Sequence, residues 1–178
     1  MSHRCARAPG PGLALALCGL FACASPGLPP SAASPAVGRP VPAFNRRTLT
    51  GAPLTSESLR GKVLVVEFFA QYCKPCWQQL PDVARLASSD PDLVIVGFGE
   101  DEYAADTQSM VRQLGLPFPV IHDAGQILAS RFRVRQIPAT LVVDAAGNVR
   151  WQARPGDGIR ELRRAIDAVR RDDTQAPR

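Results

Sequence analysis

The chain has 178 residues, 46% of them hydrophobic and 21% charged, which suits one compact domain with an appendage and excludes a wholly disordered chain. Its formal charge is +5, but the basic residues are scattered and aromatics make up only 6%, so no interleaved basic and aromatic nucleic-acid surface is expected. Of the five cysteines, Cys5, Cys18 and Cys23 lie in the first stretch, and Cys73 and Cys76 are the only two in the remainder.

Residues 1–22 place Arg4 and Arg7 ahead of the apolar run Leu13 to Ala22. That order is the charged and apolar parts of an export signal, and the run falls short of the roughly 20 residues a membrane-spanning helix needs. Leu20-Phe21-Ala22-Cys23 is similar to a bacterial lipoprotein signal, which implies acylation of Cys23 and attachment to the membrane by lipid alone. Ordinary cleavage further on, between Ala22 and Ala33, is the alternative. Residues 23–42 are rich in Pro, Ser and Ala with almost no large apolar side chain, and predict an extended tether.

A folded domain is expected over residues 43–171, with a disordered tail over 172–178. Phe44, Leu49 and Leu54 flank Thr50-Gly51-Ala52-Pro53 and suggest a small hairpin. Val63 to Phe69 is a β-branched and aromatic run broken only by Glu67, the pattern of a central strand covered on both faces. Leu93 to Phe98 and Thr140 to Val143 repeat it. Helical patterns run over Cys76 to Leu86, Ala104 to Leu114 and a short stretch around Ile127 to Phe132, so strands alternate with helices in an α/β arrangement. Ile121-His122-Asp123 reads as a surface turn. Val149 to Gln152 is expected as an antiparallel edge after the turn Asp144 to Asn148. The last helix carries Ile159, Leu162, Ile166 and Val169 on one stripe, with Arg160, Arg163, Arg164 and Arg170 largely off it.

Cys73 and Cys76 stand where a strand should hand over to a helix. With a helix starting near Cys73, the first sulfur sits at the helix N-terminus and the second one turn inside, within bonding reach. Unpaired N–H groups and the positive end of the helix dipole favour a thiolate there, making Cys73 the nucleophile and Cys76 the resolving thiol. Pro75 fits because a first-turn proline forfeits no helical hydrogen bond. Lys74 either adds a cation near the thiolate or serves solubility. A structural staple is disfavoured by the short loop it would close. A zinc site is disfavoured because there is no second cysteine pair and only His3 and His122 in the chain. Trp77 in place of histidine after Cys76 breaks the haem-attachment pattern.

VLVVEFFAQYCKPCWQQLP resembles the active-site segment of thioredoxin-fold proteins. PAFNRRTLTGAPLTSESLRGK upstream and LPFPVIHDAGQILASRFRVRQIPATLVVDAAGNV downstream resemble the TlpA-like exported thiol-disulfide oxidoreductases, over roughly residues 41–152. The resemblance implies a thioredoxin fold, with a central mixed β-sheet flanked by helices and an N-terminal β-hairpin extension. It implies that Cys73 attacks a substrate disulfide and Cys76 resolves the mixed disulfide, with no cofactor or metal beyond the cysteine pair. It makes Pro138 the family's cis-proline, offering with Ile137 backbone groups to an extended substrate, and Pro81 a residue that shapes the helix. Glu67, six residues before Cys73, takes the place of a buried acid beneath the dithiol and would exchange protons with Cys76; an exposed strand end or an ion pair is its plainer reading. Tyr72 stands where the family most often has tryptophan.

These implications describe an exported enzyme acting on protein disulfides, most often as a reductant recharged by a membrane electron-transfer protein, with apocytochrome c cysteines among the family's substrates. Two other classes compete. Thiol peroxidases share the lead-in, but generally carry threonine where Ala70 stands, three residues before the cysteine. A copper(I)-binding metallochaperone would use the two thiolates as soft ligands, with no evident third.

Overall fold

The computed structural model of the protein describes residues 34–175. The expected export signal over 1–22 and lipidation at Cys23 lie outside the described residues.

A two-stranded hairpin, β1 (Asn45–Arg47) with β2 (Pro53–Thr55), precedes the main sheet. That sheet holds β3 (Leu64–Phe69), β4 (Val94–Gly99), β5 (Val120–His122), β6 (Ala139–Val143) and β7 (Val149–Gln152) in the order β5-β4-β3-β6-β7. β3, β4 and β5 are parallel neighbours, while β6 and β7 add on antiparallel. The sheet is therefore mixed, with the thioredoxin fold's helices on its two faces. β3 is buried at every position, as an apolar run broken only by Glu67 requires of a central strand.

Alternation along β3 divides the core. Val65 and Phe69 face one layer with α1 (Lys74–Ser89), α2 (Ala104–Leu114) and α4 (Ile159–Gln175). Leu64, Val66 and Phe68 face the other, with α3 (Ile127–Arg131) and a nest of rings from Phe44, Phe98 and Phe132. Leu162, Ala165, Ile166 and Val169 are the buried stripe of α4, and Arg160, Arg163 and Arg164 are exposed. Arg170 instead reaches Asp90 at the end of α1 through two hydrogen bonds of 2.8 and 3.1 Å.

Three boundaries differ from expectation. The expected tether over 23–42 does not extend that far: Ala36 is buried, and Gly38 N–H donates to the Val149 carbonyl at 2.7 Å while Val149 N–H donates to Arg39 at 2.8 Å. A Pro- and Ser-rich segment needs no large side chains for this, because its backbone satisfies the open edge of β7. The expected tail over 172–178 begins as helix, since α4 continues to Gln175 and Asp172 and Asp173 reach Arg150 and the Ala145 N–H, each at 3.0 Å. Finally, the expected turn at His122 is the end of β5, paired with Gly99. Its three residues are too few to show a strand's alternation.

Candidate active site

The dithiol sits where β3 ends and α1 begins. Cys73 is the N-cap of α1, with Lys74 and Pro75 as the first two helical residues. Its Sγ accepts the Cys76 N–H at 3.2 Å, and its carbonyl accepts the same N–H at 3.0 Å. The two sulfurs are joined in a disulfide, with the Cα atoms 5.3 Å apart. Cys73 is 6% exposed and Cys76 fully enclosed, so an incoming group meets Cys73 first. The helix N-terminus adds free N–H groups and a favourable dipole for a thiolate at that cap.

A second set of bonds fixes the loop that carries Tyr72. Asp101, buried just after β4, accepts the Gln71 N–H at 2.8 Å through Oδ1 and the Thr107 hydroxyl at 2.8 Å through Oδ2. Trp77 Nε1–H donates to the Gln71 carbonyl at 2.7 Å. Gly99 makes the Thr107 contact possible, because a Cβ there would fall 2.2 Å from Thr107 Cγ2. His122 Nε2 lies 2.8 Å from the Asp101 carbonyl, so this histidine is half-buried structure. Tyr72, Lys74 and Pro75 are left exposed above the clamp, Tyr72 by 69%.

Glu67 lies on the α1 side of β3, fully buried. Its Oε2 accepts the Thr140 hydroxyl at 3.1 Å and Gln79 Nε2–H at 3.3 Å, and the Gln79 amide also donates to Thr140 Oγ1 at 2.6 Å. Register explains the first partner, since Glu67 pairs across the sheet with Thr140 on β6. The second comes from α1, three residues past Cys76. Burial is the dominant influence on the carboxyl and pushes its pKa up to about 8, against the opposing pull of Thr140 and then Gln79. Both donors converge on Oε2, and Oε1 has no partner among the described residues. The proton of the neutral acid therefore belongs on Oε1.

The Ile137–Pro138 peptide bond is cis. Both residues are half-buried and line a cleft of about 460 Å³ with Pro75, Gln79 and Thr140. This cleft joins the dithiol loop to the proline loop, with the partners of Glu67 in its wall. Pro81 lies inside α1. Asp101, Gln79 and Thr140 went unread in the sequence. Thr140 and Gln79 had a signal, in strand pairing and helical spacing; Asp101 had none short of the fold. Among the described residues, no group of three or more His, Cys, Asp or Glu is close enough to share a metal ion.

The comparisons agree with this geometry. The AhpC/TSA family profile matches residues 37–152. The thiol-disulfide oxidoreductase ResA of Bacillus thuringiensis (strain Al Hakam) is 29% identical over 115 residues, covering 64% of this chain and 66% of that protein. The chain thus spans a little under two thirds of that relative's length. A probable thiol:disulfide interchange protein DsbE-2 of Pasteurella multocida is 30% identical over 141 residues, or 78% of this chain and 73% of its own. The solved structure of a secreted Mycobacterium tuberculosis disulfide oxidoreductase homologous to E. coli DsbE superposes with a TM-score of 0.64 at 28% identity, covering 70% of this chain and 95% of that one. The chain belongs to the AhpC/TSA family and, within it, stands with the thioredoxin-fold thiol-disulfide oxidoreductases.

Proposed function

We propose that the protein reduces disulfides in other proteins of the bacterial cell envelope. The observation that carries this reading is a helix-capping cysteine with a buried partner cysteine one turn on, on the helix whose Gln79 bonds a buried acid of raised pKa on β3. In the reduced enzyme the Cys73 thiolate attacks one sulfur of a substrate disulfide, and the other substrate sulfur leaves as a thiolate and takes a proton. Cys76 then gives its proton to Glu67, in its ionised fraction, and attacks Cys73 Sγ. The second substrate thiolate departs, the substrate has gained two electrons, and the enzyme holds the Cys73–Cys76 disulfide. Ile137 and Pro138, lining the cleft with Pro75, would hold an extended substrate strand against the dithiol.

A dithiol donor must restore the pair, and a membrane electron-transfer protein is the partner this reading requires. Residues 1–22 supply an export signal and Cys23 a lipid anchor, which puts the domain on the periplasmic side of the envelope; a Mycobacterium bovis relative, 31% identical, is named a soluble secreted antigen. Among the described residues no helix is long and apolar enough to cross a membrane. Apocytochrome c cysteines are one substrate class for such a reductase. The thiol peroxidase reading is weaker, because Ala70 is fully buried and brings no hydroxyl to Cys73.

The test is the reduction potential of the Cys73/Cys76 couple, with insulin reduction, peroxide turnover and copper(I) titration run alongside. A potential near about −270 mV supports a reductase, and one near about −120 mV makes the protein a disulfide donor and overturns the direction. Metabolic labelling with a fatty acid, in wild type and Cys23→Ser, tests the anchor.

A further inference from the structure

A second cleft lies on the other side of the proline loop. It has a volume of about 320 Å³ and is lined by Glu100, Arg133, Arg135 and Gln136, with Ser130 and Pro35 at its edges. Gln136 borders both this cleft and the one beside Pro75. Glu100 sits one residue past β4, and its N–H donates to the Phe69 carbonyl at 2.8 Å. Its carboxyl therefore springs from the strand beside the one that delivers the dithiol loop.

Glu100 is 8% exposed, and its Oε1 is enclosed with no hydrogen-bond partner among the described residues. Its neighbours are satisfied. Asp101 has the Gln71 N–H and the Thr107 hydroxyl, and Asp123 accepts the Leu128 and Ala129 N–H groups at 2.9 and 2.8 Å. No ion pair reaches Glu100, Asp101 or Asp123 from the described residues. Three carboxyl groups thus gather where β4 and β5 end, and Glu100, the one that lines this cleft, has an enclosed oxygen without a donor. Arg133 and Arg135 line the same cleft but are exposed, so solvent screens them; the enclosed carboxylates are screened far less. A buried carboxylate without a donor is costly, and a cationic N–H group is the ligand that relieves it best.

We propose that this cleft is a substrate subsite that takes a cationic side chain, lysine or arginine, of the peptide whose disulfide Cys73 engages. It rests on the disulfide-exchange reading and adds a specificity to it. A strand held along Gln136 to Pro138 passes between the two clefts, so a side chain flanking the attacked cysteine can enter the Glu100 side while the disulfide faces Pro75.

Peptides with one internal disulfide test this, lysine being scanned through each position flanking the attacked cysteine and compared with norleucine. The readout is the ratio of the two rate constants, which cancels changes in the dithiol itself. At one position wild type should favour lysine by about tenfold, as a charge-assisted hydrogen bond predicts, and Glu100→Gln should bring that ratio near one. In wild type alone the ratio should also grow from about pH 6 to about pH 8. Burial first, then Asp123 and Asp101, push the Glu100 pKa up to about 7, and His122, Tyr72, Arg133 and Arg135 are further titratable groups near it. This second measurement stands even if the variant does not fold. Ratios near one at every position, a preference that survives Glu100→Gln, or one flat with pH would each overturn the subsite. Failure of every peptide to react would instead overturn the disulfide-exchange reading beneath it.

Discussion

Two buried glutamates stand on opposite faces of the same sheet, and the contrast between them separates two ways of holding a proton. Glu67, on the α1 side, is fully enclosed and takes two donors from Thr140 and Gln79 on one oxygen. Glu100, on the α3 side, takes none on its enclosed oxygen and faces a cleft beside two other carboxyl groups. Desolvation raises both, but hydrogen bonds oppose it at Glu67 and like charges reinforce it at Glu100. A carboxyl that is closed in and bonded on one oxygen is suited to holding a proton away from solvent. One that is unsatisfied and opens on a cleft is suited to meeting something that arrives.

The largest effects should come from the side that holds the dithiol. Cys73→Ser should abolish disulfide exchange, while Cys76→Ser should accumulate a mixed disulfide with substrate, visible as a mass adduct that added thiol removes. If Cys76→Ser turns over normally, the assignment of the resolving thiol is wrong. Glu67→Gln should slow resolution near neutral pH by about a hundredfold, the lower range of general acid–base catalysis, with the first attack by Cys73 less affected. It should also change stability. A carboxyl whose folded pKa is raised contributes most below its ordinary value of 4.5, and that contribution is lost as pH rises through about 8. Wild type should therefore lose stability from about pH 5 to about pH 9, on the order of a few kcal/mol, in denaturant titrations. Glu67→Gln, which cannot ionise, should lack that loss; an unchanged slope would show that the carboxyl is not desolvated.

The same contrast marks what the sequence could show. Glu67 was legible because one charge in an otherwise apolar strand breaks a pattern, and a CxxC pair follows it by six residues. Glu100 was not, because Glu100, Asp101 and Glu102 together look like any charged loop. Only the fold shows that Asp101 turns in to bond the Gln71 N–H and that Glu100 turns towards α3. The main strands and helices followed from periodicity within a residue or two at most ends. What periodicity could not reach was the edge of the sheet: β5 is three residues long, and residues 34–42 bind β7 through backbone groups that no side-chain pattern reports. Thr140 illustrates the middle case, a polar residue in an apolar strand whose meaning depends on register with Glu67.

Glu100→Gln should give a smaller version of the stability change. The raised pKa of about 7 means its contribution is lost as pH rises through that value, so the variant should gain on wild type above it by on the order of 1–2 kcal/mol. Because the two carboxyl groups share no partner, the gains of Glu67→Gln and Glu100→Gln should add in the double variant. Marked non-additivity would mean that the sheet couples them and that they act as one site.

The smallest change tests the hydrogen bonds themselves. Thr140→Val keeps the shape of the side chain but removes the hydroxyl that donates to Glu67 Oε2 and accepts from Gln79. At neutral pH, where Glu67 is mostly protonated, this should cost about 1 kcal/mol, the usual worth of a hydrogen bond between uncharged groups. At high pH it should cost more, because the ionised carboxylate loses a donor it needs. The Glu67 pKa should accordingly move further above about 8, read from the carboxyl C=O stretch during a pH titration. The direction is what matters: a pKa that stays put or falls would mean that the Thr140 hydroxyl does not stabilise the charge, and that enclosure alone sets the carboxyl's proton affinity.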